Sequence, residues 1–335
     1  MTALVDIQIR DPFVLVDEGV TYVYGSTDKN IWRTGTGFDV YRSTDGLDEF
    51  EGPFPAFRPG PDFFSHLNYW APEVYRTGDT YTMFATFKPD AGRRGTAVLR
   101  ATSPLGPFEP TSRAPITPPE WECLDGTLFF EASSEGGNQE EPSGPGGEAA
   151  SGESQEAPPE AGNHEGDPDQ DGSSSEGRPW MIFCHEWQQV GDGEICAMPL
   201  TDDLTAPVGE PRLLFTASEA PWSVPMPDRA PGSYVTDGPF PWRTADGRLL
   251  LLWSSMTGDG HTYALGIATS ESGTLAGPWR QAVRPLYESD GGHGMIFRDL
   301  TGQLRLALHR PNNTPNERAQ FIPLEETKDG LRIAN

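Results

Sequence analysis

Five times along this chain a short apolar run opens on a carboxylate or histidine set beside Gly or Pro. The five are Arg10-Asp11-Pro12, Trp70-Ala71-Pro72-Glu73, Leu124-Asp125-Gly126, Asp237-Gly238-Pro239 and Gly292-His293-Gly294. Their polar residues lie 62, 52, 112 and 56 positions apart, and the 112 falls to 66 once the 46-residue tract 132–177 is set aside as an inserted loop. A recurrence of about 60 residues means one supersecondary unit repeated, and a four-stranded blade is the unit that fits so many short strands. The expected fold is therefore all-β, a five-bladed β-propeller forming a single domain over residues 1–335. A polar group at the start of each innermost strand then converges on one axis.

Within the repeats, runs such as Thr21-Tyr22-Val23-Tyr24 and Leu249-Leu250-Leu251-Leu252-Trp253 are short, β-branched or aromatic, and bounded by turns such as Asp17-Glu18-Gly19. Consecutive strands of a meander run in opposite directions, so the second strand of each blade ends on the face where the first begins. Those ends read Ser26-Thr27-Asp28, Thr86-Phe87, Cys184-His185-Glu186-Trp187, Trp253-Ser254-Ser255 and Leu308-His309-Arg310. Carboxylates for hydroxyls and aromatic faces for the apolar side of a ring suit a carbohydrate.

The tract 132–177 holds 12 acidic residues, no Lys or Arg and no aromatic residue. It cannot bury enough apolar area to offset the entropy of ordering, so disorder is expected there. The chain's formal charge is −26, of which about −14 belongs to the remainder. Both parts repel polyanions, which argues against nucleic acid and an anionic membrane as partners, and no apolar run approaches the ~18 residues of a membrane span. Cys123, Cys184 and Cys196 form neither a disulfide framework nor a metal-site spacing. With an N-terminus lacking a basic and an apolar segment, a reducing, cytoplasmic location is expected.

Together these motifs, in this order and at this spacing, resemble family 43 of the glycoside hydrolases. The resemblance covers roughly residues 6–325 apart from the insertion. It implies a five-bladed propeller that hydrolyses glycosides with inversion, chiefly α-L-arabinofuranosides and β-D-xylosides. It also implies roles: Asp11 as general base, Asp125 as the carboxylate that tunes and orients the acid, Glu73 as a substrate contact, and Asp237 at the position of the general acid. The family's acid is a Glu in Glu-Gly-Pro, and here Asp237 is one methylene shorter. Glu186, ending the second strand of blade three beside Asp125, is the alternative acid, since a carboxyl flanked by Cys184 and Trp187 can be held protonated by desolvation. Further sugar contacts are expected from Trp70, Trp187, Trp253, His309 and Arg310. His293 matches a histidine that in many members sits near a calcium ion on the axis. Hydrolysis itself requires no cofactor, and a structural Ca²⁺ is the one metal considered.

The expected function is release of a terminal sugar, α-L-arabinofuranose first, from plant-type oligosaccharides. A β-xylosidase or exo-galactosidase of the same fold is the alternative. A noncatalytic sugar-binding propeller would keep the aromatics without needing Asp11, Asp125 and two more acids together. An invertase-like enzyme would carry Arg-Asp-Pro in a later blade rather than the first. A scaffold for protein partners would show no polar convergence.

Overall fold

The computed structural model describes residues 1–132, 177–328 and 330–334. The insertion expected at 132–177 falls, apart from its two end residues, outside the described residues. The chain forms five antiparallel sheets around a common axis, which is the five-bladed propeller. Blade one comprises Arg10–Asp17, Val20–Ser26, Phe38–Ser43 and Glu49–Phe57, with Thr2–Ala3 added to its outer edge. Ser65–Thr77, Thr80–Pro89, Gly95–Ala101 and Glu109–Pro110 make blade two, and Cys123–Glu131, Arg178–His185, Glu194–Pro199 and Arg212–Thr216 blade three. Blade four is Asp237–Arg243, Leu249–Thr257, Thr262–Ser270 and Trp279–Gln281; blade five is Gly292–Arg298, Leu304–Arg310, Arg318–Thr327 and Gly330–Ile333.

Inner strands are covered on both faces by neighbouring blades, which is why Leu249 to Trp253 read as an unbroken apolar run and are all buried. Each such leucine contributes about 1.5–3 kcal/mol by leaving water. One apolar cluster joins blades one, two and five, with Met295, Phe297, Ala307 and Ala319 packed among residues of blade one; a second joins blades three and four. The ring thus closes between blades five and one by side-chain packing. Polar closure is added where the Ile9 N–H donates to the Glu317 carbonyl and Arg10 Nη1 lies 3.1 Å from Glu317 Oε1.

One local device recurs in every blade. Arg10 pairs with Ser26 and Phe13 with Tyr24, so Asp11 and Pro12 together face one partner residue, a β-bulge. The same skip encloses Ala71-Pro72, Asp125-Gly126, Gly238-Pro239 and His293-Gly294. The first residue of each pair is left-handed, with φ of 53° at Asp11, 47° at Ala71, 56° at Asp125, 50° at Gly238 and 50° at His293. For a residue with a Cβ this conformation costs about 1–2 kcal/mol. The second residue is Pro or Gly for two reasons. Proline leaves no N–H without a ladder partner, and at Gly126 an added Cβ would stand 2.7 Å from Thr96 and 2.8 Å from the Met181 sulfur.

The bulge amides are satisfied across blades. Ala71 N–H donates to Ser26 Oγ (2.9 Å), Asp125 N–H to Thr86 Oγ1 (2.9 Å), His293 N–H to Ser254 Oγ (2.8 Å) and Asp11 N–H to His309 Nδ1 (3.2 Å). Ser26, Thr86, Ser254 and His309 occupy one equivalent register position on the second strands, opposite the residue that precedes the bulge. In blade three that position is Cys184, a weak acceptor, and the Gly238 N–H donates instead to Asp125 Oδ2 at 3.0 Å.

Candidate active site

A bulge turns two successive side chains toward the same side. Here it brings Arg10 with Asp11, Leu124 with Asp125, and the residues Trp70, Asp237 and His293 to the wall of one cavity of about 460 Å³. Glu186 and Trp187, just past the second strand of blade three, line the same cavity. Of the residues expected from the sequence, Asp11, Asp125, Glu186, Asp237, Trp70, Trp187 and His293 are therefore brought together.

Four expected contacts are not, and each has a structural reason. Glu73 is the first residue after its bulge, level with Phe13 and Thr127 of the neighbouring blades, and is absent from the cavity wall. Its carboxyl accepts from Tyr75 Oη, and burial pushes its pKa up to about 8. Trp253 precedes Ser254, and because strand side chains alternate it points into the core of blade four, against Phe215 and Trp222. His309 is fully buried and spends Nδ1 on the Asp11 amide. Arg310, its neighbour, faces out and is exposed.

Asp11 is the most tightly held carboxylate. Ser26 Oγ donates to Oδ2 at 2.8 Å, His293 Nδ1 lies 3.2 Å and Arg10 Nε 3.5 Å from Oδ1. Burial pushes Asp11 up, but His293, Arg10, His309 and the Ser26 bond outweigh it and hold Asp11 below its usual value. Burial also keeps both imidazoles from protonating, His309 down to about 3. His293 Nδ1 stands beside Asp11 as a close contact, and Arg10 is the permanent cation there. His309 accepts at Nδ1, which places its proton on Nε2, toward Asn312 Oδ1 at 3.4 Å.

The other carboxyls are pushed the opposite way. Burial, then Asp237 and Asp11, drive Asp125 well above its usual value. Burial also raises Asp237, whose Oδ2 accepts from Tyr263 Oη at 3.1 Å, against His293 and Arg10. Glu186 is 3% exposed, and burial lifts it to about 7 against the pull of Arg94. Its Oε2 accepts from Arg94 Nη1 at 3.0 Å, while Oε1 is buried with no hydrogen-bond partner among the described residues. One cavity therefore holds one carboxyl pushed below its usual value and others pushed above theirs, the separation acid–base chemistry needs.

The sequence reading did not assign Arg94, Ile31, Trp32, Arg229 or the loop Asn312, Asn313 and Thr314 to the wall. All are loop residues without strand periodicity. Trp32 is exposed and meets Trp70 edge to face at 5.1 Å. At the position where calcium was expected, His293 Nδ1 lies 3.2 Å from Asp11 Oδ1, and among the described residues no group of three or more His, Cys, Asp or Glu side chains is placed to hold a metal ion.

A fold of this kind with clustered carboxyls at the axial mouth defines a glycosidase-type propeller, and the comparisons agree. The profile of Glycosyl hydrolases family 43 matches residues 3–136 and 169–331. The chain belongs to that family and is a glycoside hydrolase. It is 35% identical to the endo-arabinase from Bacteroides thetaiotaomicron, with 98% of each chain covered and a TM-score of 0.77. An endo-1,4-beta-xylanase from the same organism (20% identity, 98% and 95% covered, TM-score 0.68) shares the fold. So does an alpha-L-arabinofuranosidase from Lactobacillus brevis (17%, 97% and 93%, 0.68). Among curated proteins none matches.

Proposed function

We propose that this hydrolase inverts the anomeric centre and releases terminal α-L-arabinofuranose from plant-type oligosaccharides, with Asp11 as base and Glu186 as acid. One observation carries the reading: in a single cavity Asp11 is held below its usual pKa while Glu186 is lifted to about 7. Ionised Asp11 takes a proton from a water as the water oxygen bonds to the anomeric carbon. Glu186 gives its proton to the glycosidic oxygen as the bond from that oxygen to carbon breaks. Attack from the face opposite the leaving group inverts the centre, and inverting pairs stand about 6.5–9.5 Å apart to admit the water. Asp125 fixes the Gly238 amide and so sets the backbone beside Asp237. Trp70 and Trp187 line the wall with Arg94 over the first ring and Arg229 over the second. Arabinose is favoured over xylose because the 35% identical protein is described as an endo-arabinase.

That likeness also favours a second reading, cleavage within an arabinan chain. It is supported by a hollow of about 420 Å³ that shares Trp187, Gln188 and Arg229 with the main cavity. A panel of nitrophenyl α-L-arabinofuranoside, β-D-xyloside and β-D-galactoside, with debranched arabinan beside it, separates the cases. Nitrophenol release from the arabinofuranoside, with β-arabinose as the first product in proton NMR, is expected. Oligomers from arabinan without nitrophenol release would favour the internal mode, and a first product of retained configuration would overturn inversion. Sugar binding with no turnover of any substrate would make the propeller a lectin.

A further inference from the structure

Arg94 precedes the third strand of blade two, far in sequence from Glu186, yet its guanidinium lies at the cavity wall and is only 7% exposed. The cation sits 4.8 Å over the Trp70 ring. Nη1 donates to Glu186 Oε2, Nη2 is 3.7 Å from Glu122 Oε2, and the Arg94 backbone N–H donates to the same Glu122 oxygen. Glu122 in turn accepts the Glu186 N–H at its own carbonyl, at 2.8 Å. The acid's side chain and backbone are thus both held by this pair.

We propose that Arg94 is the positioning residue of the acid: it binds Oε2 and leaves Oε1 as the oxygen that carries the transferable proton. The argument is one of donors. A guanidinium has five N–H groups and no acceptor, so a proton on Oε2 would meet another donor. Oε1 has no partner among the described residues, so a proton carried there finds its acceptor only when a glycosidic oxygen enters the cavity. The groups facing Glu186 are Arg94 from blade two, Glu122, Asp125 and Cys184 of blade three and Asp237 from blade four, with Lys88 and Arg93 pairing to Glu122. Arg94 is the cation bonded directly to it. Its charge favours the ionised acid, so it holds the alkaline limb of the rate profile lower than burial alone would.

This inference rests on Glu186 being the acid, and the experiment separates the two. Profiles of kcat/KM against pH are recorded for the wild type, Glu186→Gln, Arg94→Met, Arg94→Gln and Arg94→Lys, with circular dichroism to confirm folding; Arg94→Gln carries the test if Arg94→Met does not fold. Loss of the cation is expected to move the alkaline limb up by about one pH unit or more. It should also lower kcat on natural glycosides by about 10- to 100-fold as the acid loses its orientation. Arg94→Lys should leave the limb near its wild-type position. A limb that stays in place in the neutral variants while KM alone rises would make Arg94 a sugar contact and overturn the proposal. An alkaline limb that survives Glu186→Gln would instead overturn the choice of acid.

Discussion

At the scale of single residues, two carboxyls compete for one proton transfer, and they differ in partners as well as length. Asp237 accepts from Tyr263 and lies near Arg10 and His293, whereas Glu186 keeps one oxygen without a partner among the described residues. An acid matters most when the departing oxygen is basic. Glu186→Gln should therefore cripple natural glycosides, spare a dinitrophenyl glycoside and erase the alkaline limb, while Asp237→Asn should slow both substrates alike. An exchange of the two patterns would assign the acid to Asp237. On the proposed roles the sign follows for the wild type: activity should rise as Asp11 loses its proton below the usual carboxylate range, and fall as Glu186 loses its own near pH 7. Measuring kcat/KM from acid to alkaline pH checks it; a limb two units higher would contradict the assignment. Asp11→Asn should remove nearly all turnover on every substrate while the protein stays folded, since Asn tolerates the left-handed backbone at φ 53°. Retained turnover there would move the base elsewhere.

At the scale of the strand, the bulge decides which side chains reach the cavity, and an acceptor one blade away steadies each bulge. Thr86→Val removes the acceptor of the Asp125 N–H at nearly constant shape. An orphaned buried amide costs about 1–3 kcal/mol, so urea unfolding should show that loss together with a fall in kcat larger than any change in KM. Unchanged kcat would mean that Asp125 is positioned by something else. The same geometry explains what could be read beforehand. The blade period and the Asp11, Asp125 and His293 positions were legible because a polar residue beside Gly or Pro marks each bulge. Strand direction was enough to find Glu186. Glu73 was misplaced because a bulge shifts the facing of everything after it. Trp253 and Arg310 were misplaced because they alternate with Ser254 and His309, which do face the axis. Arg94 and Asn312 gave no signal at all, since loops have no period.

At the scale of the whole molecule, the first hairpin of blade three is paired to its end, with Glu131 opposite Arg178. Replacing residues 133–176 by a short turn should leave the propeller intact and shift Tm by less than about 4 °C, the reach of 1 kcal/mol in a chain of this size. A larger drop would show that the tract supports the blades. Glu317→Ala tests ring closure instead: the Arg10–Glu317 pair is buried, and removing one partner of such a pair costs about 3–5 kcal/mol. Stability and activity should fall together, because Arg10 also sits beside Asp11. Finally, the bond from the Asp11 amide to His309 spans 298 positions of sequence. A growing chain makes Asp11, the proposed base, almost at once, yet the imidazoles beside it are made nearly last. If Asp11 is the base, activity is expected only once the fifth blade has docked against the first and the circle is complete.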